Sequence, residues 1–105
     1  MKKPTTATEE TLLQCLDDVE EVTGIKPNEI MQRSRGYENV CMARFFVYAM
    51  LRNHSHSYSY NQIGTAMGRN HGAVMSGIST LNNRLSYDKR MIAKAKLLRK
   101  KGYTV

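Results

Sequence analysis

Two short helix-forming stretches meet at Gly68-Arg69-Asn70, and no other feature narrows the possible folds as much. Ser59 can cap a helix that runs to Met67, with Ile63 and Ala66 facing inward. Gly68 follows, the residue type that most easily takes the left-handed conformation that ends a helix. Asn70 can then cap a second helix carrying Val74, Ile78, Leu81 and Leu85 at i, i+4, i+7 and i+11. Two helices joined by a tight glycine turn have the outline of a helix-turn-helix. In that unit the second helix enters a DNA major groove with its first residues at the base edges. Its unpaired N–H groups and its dipole favour a nearby phosphate. Asn70 and His71, both hydrogen-bonding, stand where those edges would lie, and Arg69 precedes them. His71 can donate to a base or accept from one, according to its tautomer.

The flanking sequence predicts more helix and no sheet. Thr6 with Glu9 forms a capping-box pattern, after which Leu12, Leu13, Leu16, Val19 and Val22 recur at helical spacing with acids between them. Gly24 ends that helix, and Pro27 opens a short one through Ile30 and Met31. Gln32 to Tyr37 form a basic loop. A longer helix from about Glu38 to Arg52 buries Val40, Ala43, Phe46, Val47, Met50 and Leu51, with Arg44 standing away from that stripe. Residues 53–59 form a polar loop, and Tyr58-Ser59-Tyr60 is too short an alternation for a strand. A last helix from about Asp88 to Lys101 turns Met91, Ile92, Ala95 and Leu98 inward and its lysines and arginines outward. The expectation is one all-α domain over residues 1–105, with about six helices around a central helix-turn-helix and a loose start over residues 1–5.

Charge is divided along the chain. Residues 1–30 hold three lysines against seven acids, whereas residues 31–105 hold thirteen lysines and arginines against Glu38 and Asp88. The formal net charge is +7. A field of this sign attracts polyanions and speeds their capture, but does not by itself separate DNA from RNA or an anionic membrane. Membrane insertion is excluded: the longest mainly apolar run, Val40 to Leu51, contains Arg44 and is too short to span. The first fifteen residues lack the apolar centre of a secretory signal, and Cys15 and Cys41 read as reduced core residues of a cytoplasmic protein. His54, His56 and His71 have no cysteine or carboxylate beside them to complete a metal site. Acids to orient a nucleophilic pair are scarce after residue 31. The expectation is therefore no enzyme, no cofactor and no small-molecule substrate.

The run Ile63-Gly64-Thr65-Ala66-Met67-Gly68-Arg69-Asn70-His71-Gly72-Ala73-Val74-Met75 resembles a family signature, that of the C-terminal DNA-binding domain of the bacterial replication initiator DnaA. That signature has an Ile-Gly pair, a hydrophobic residue, a Gly, then Arg-Asp-His-Thr-Thr-Val and a hydrophobic residue. The likeness extends to Val19–Ile30, to Arg33-Ser34-Arg35 and to Ala43-Arg44, and covers roughly residues 12–100. It implies a Trp-repressor-like fold that reads a short duplex site. Asn70 and His71 would contact bases, Arg44 would hold phosphate, and Arg35 or Arg33 would reach the adjacent minor groove, whose narrow A·T-rich form attracts arginine. Ser59, Asn61, Arg69, Gly72 and Ala73 complete the expected DNA-facing set.

This chain departs from the signature at Asn70, where the family has Asp, and at Gly72 and Ala73, where it has two threonines. Phe45 stands where an amide is common, and the basic loop is one residue longer. A different site or weaker specificity than the initiator's is expected. No Gly-x-x-x-x-Gly-Lys-Ser/Thr loop occurs, so a standalone binder or a regulator of initiator, phage or mobile-element origin is expected. The alternative is a protein-interaction adaptor docking a replication or phage protein through the acids Glu9, Glu10, Asp17, Asp18, Glu20 and Glu21. RNA is disfavoured because A-form major grooves do not admit a helix.

Overall fold

Among the described residues the periodicities resolve into six helices: α1 (Ala7–Thr23), α2 (Pro27–Ile30), α3 (Glu38–Arg52), α4 (Tyr60–Met67), α5 (His71–Arg84) and α6 (Lys89–Lys100). The computed structural model describes residues 7–32, 37–55 and 57–105, and among these there is no strand. Thr6, Arg33, Arg35, His56 and residues 1–5, which entered the expectations above, lie outside the described residues.

In α1 the buried residues are Leu12, Cys15, Leu16 and Val19, a stripe at i, i+3, i+4 and i+7. Leu13, expected inward, is 57% exposed. It sits about 100° round the helix from Leu12, and Cys15 fills the place on the stripe. Burial pushes the Cys15 thiol up to about 12, so it stays protonated as a small apolar group. The helix stops at Gly24, whose φ of 78° is left-handed, with its N–H donating to Glu20 O at 2.7 Å.

Helix α3 is the centre of the molecule and packs against α1, α2, α4 and α5. Covered on several sides, it has no solvent-facing strip through its middle: Val40 to Arg44 and Phe46 to Leu51 are all buried. Residues 53–59 are not purely a polar loop, because Tyr58 is buried and its hydroxyl pairs with Thr11 Oγ1 at 3.1 Å. Arg52 holds the approach to α4 by donating to Tyr58 O at 3.2 Å and stacking 4.5 Å from the Tyr60 ring centroid.

Helix α6 starts at Asp88, whose side chain accepts from Arg90 N at 3.0 Å and Met91 N at 3.3 Å. It buries Met91, Ala95 and Leu98, leaves Ile92 half-buried, and packs on α1. The basic end of α6 meets the acidic helix here. Lys101 Nζ lies 2.5 Å from Glu21, and the Tyr103 hydroxyl donates to Asp18. Among the described residues no helix is long and apolar enough to cross a membrane.

Candidate nucleic-acid interface

Helix α4 opens with a reciprocal cap. Gln62 N donates to Ser59 Oγ at 3.1 Å, and Ser59 N donates to Gln62 Oε1 at 2.8 Å. Ser59 and the following Asn61 are exposed. Ile63 and Met67 are buried and Ala66 is half-buried, which seats the helix on the core. It ends at Gly68, with φ 68° and ψ 33°. The chain then doubles back closely enough for Arg69 N to donate to Gly64 O at 2.8 Å, and a Cβ at Gly64 would overlap the carbonyl oxygen of Arg69. The second glycine of the Ile-Gly pair is thus a requirement of the turn.

Asn70 caps α5, its Oδ1 accepting from Ala73 N at 2.8 Å. The side chain expected to read a base therefore first organises the helix start. His71 follows at the first helical position and is exposed, as is Gly72, while Ala73 is half-buried. Beyond them the outward positions of α5 are Met75, Ser76, Ser79, Thr80, Asn82 and Asn83, none charged. The opposite side buries Val74, Gly77 and Leu81, with Ile78 and Leu85 half-buried. At Gly77 the helix crosses α3 so closely that a Cβ would lie 2.6 Å from Phe45 Cδ1 and 2.8 Å from the Tyr48 ring.

Beside that crossing lies a groove of about 350 Å³, whose lining includes Arg44, Tyr48, Arg69, Ser76 and Thr80. Arg44, expected to stand away from the buried stripe, is only 4% exposed. Its Nε donates to Ile30 O at 2.8 Å and its Nη2 to Gln32 O at 3.3 Å. The correction has a simple cause: the end of α2 lies over this side of α3 and brings carbonyls that a cation can satisfy. Arg69 is half-buried and its guanidinium also donates to Gln32 O. Burial pushes the Tyr48 phenol up, and the neighbouring charges of Arg69 and Arg44 oppose that rise.

The structure thus brings Arg69, Asn70, His71, Gly72 and Ala73 together at the start of α5, places Ser59 and Asn61 at the start of α4, and puts Arg44 behind them in the core. Met75 was not anticipated as a site residue. It is 48% exposed, and its position one turn beyond His71 was the available signal. Among the described residues no group of three or more His, Cys, Asp or Glu could hold a metal ion.

A helical domain with this capped, glycine-bounded turn is a helix-turn-helix protein. Residues 14–81 match the family described as the bacterial dnaA protein helix-turn-helix, and the chain belongs to that family. Membership points to DNA binding. No characterised protein and no solved structure gives a match.

Proposed function

We propose that this chain binds a specific duplex DNA site through the first turns of α5, serving replication initiation, its regulation, or transcription. The observation that carries this is the exposed His71 at the first helical position, beyond a made cap and on a face free of acids. A neutral, hydrogen-bonding helix face can approach base edges without the repulsion that carboxylates would meet at the phosphates. Asn70 presents what remains of its amide after capping, and Gly72 and Ala73 let the backbone come close. Ser59 and Asn61, polar and exposed at the start of α4, suit backbone phosphates, and Arg33 or Arg35 supplies the minor-groove contact. The acidic face of α1 is partly occupied within the fold, since Lys101 engages Asp18 and Glu21.

The test is selection of bound sequences from a random duplex pool at ~150 mM salt, because specificity has meaning only at a stated ionic strength. Enrichment of one motif is expected. His71→Ala should cost ~1–3 kcal/mol of discrimination at its base step, with folding stability within about 0.5 kcal/mol of the parent. Binding that falls uniformly with salt and enriches no motif would refute specific recognition.

A further inference from the structure

Arg44 and Arg69 come from different elements and converge on one carbonyl, that of Gln32 just past α2. We infer that the two arginines are positioning residues rather than phosphate ligands: they tie the end of α2 to the turn that launches α5. This rests on the DNA-reading proposal above and names how its site is held in shape.

Three observations support the assignment. First, Arg44 is almost wholly buried, and its guanidinium is directed at Ile30 O and Gln32 O. Swinging it out to a phosphate would take the Nε donor away from Ile30 O, the carbonyl of a fully buried residue, which is unfavourable inside a protein. Second, a carbonyl oxygen has two lone pairs, so Gln32 O can accept from both guanidinium groups at once. Third, Arg69 is fixed at both of its ends. Its main-chain N–H donates to Gly64 O at 2.8 Å, and its side chain reaches Gln32 O. Asn70, the cap of α5, is the next residue, so whatever fixes Arg69 also fixes the direction in which His71 points. Gln32 in turn leads into residues 33–36, which carry Arg33 and Arg35.

The experiment compares the parent chain with Arg69→Ala and Arg69→Lys, which alter a half-buried residue and spare the more deeply buried Arg44. Two quantities are measured: the salt dependence of binding to the selected duplex, and amide hydrogen exchange in the protein without DNA. A positioning role predicts binding weaker by roughly tenfold or more in both variants, the scale of one charge-assisted hydrogen bond. It predicts an unchanged slope of log K against log salt. It also predicts faster exchange at Ala73 and Val74 in the first turn of α5, with α6 unaffected. A phosphate ligand would instead lower the slope by about one in Arg69→Ala, leave Arg69→Lys near the parent, and leave exchange unchanged. That result would overturn the inference. If the parent itself binds no duplex, the DNA proposal fails and exchange alone decides the tether: faster exchange sustains it, unchanged exchange refutes it.

Discussion

Gly64 and Gly72 lie on either side of the same turn, in opposite surroundings. A Cβ at Gly64 would overlap the backbone of Arg69, whereas a Cβ at Gly72 would meet only the Asn70 side-chain oxygen, at 3.4 Å. The first glycine is dictated from within, by how tightly two helices must close. The second is not required by the fold at all. The inner half of the helix-turn-helix is therefore governed by packing, whereas its outer half is released from that constraint. Two of the departures from the DnaA signature fall on the outer side. Gly64, Gly68 and Val74 keep the pattern, while Gly72 and Ala73, at the outer start of α5, abandon it.

The contrast is broken most severely by Gly64→Ala. The overlapping atom belongs to the main chain and cannot rotate aside, so the cost should reach the upper end of overpacking, ~3 kcal/mol. In a domain of this size that lowers Tm by roughly 10–20 °C. A thermal melt within a degree or two of the parent would show that the turn can open without penalty. Gly77→Ala should cost less, ~1–2 kcal/mol, because one obstructing group, the half-buried Phe45 ring, is able to move. Urea unfolding of Gly77→Ala, Phe45→Ala and the double variant measures the relief. The two costs should fail to add, since the residues touch. Strict additivity would mean that Tyr48, buried on the same side, is the true obstacle.

The same division explains what the sequence made legible. The six helices, the caps at Ser59 and Asn70 and the left-handed Gly68 were all readable, because each depends on residues within a turn of one another. Arg44 was misplaced because a helical stripe assumes one buried side, and α3 is enclosed by four other helices. Leu13 was misplaced because a run of apolar residues does not say which of two neighbours owns the stripe, and Cys15 decided it. Tyr58 was hidden in polar surroundings, its anchor Thr11 lying far away in the chain. At the candidate interface, the placing of Asn70 and His71 at the start of α5 was legible. The partner of Arg44 and Arg69 was not, since a main-chain carbonyl such as Gln32 O leaves no mark in a residue pattern.

The smallest expected effect has the opposite sign. Gly72 is helical, exposed and has room for a methyl group, so Gly72→Ala should stabilise the protein by ~0.4–1 kcal/mol, chiefly by restricting the unfolded chain. Urea midpoints with an unchanged m-value would register this as a gain in stability alone. The proposed DNA reading offers two reasons for the glycine: backbone approach, or the absence of a methyl that would contact the wrong base. Gly72→Ala in the duplex selection separates these from indifference. An altered base preference at one step, with stability raised, locates the reason for the glycine in the groove. An unchanged motif leaves Gly72 without a role in recognition, and a loss of stability would contradict the open surroundings from which the comparison began.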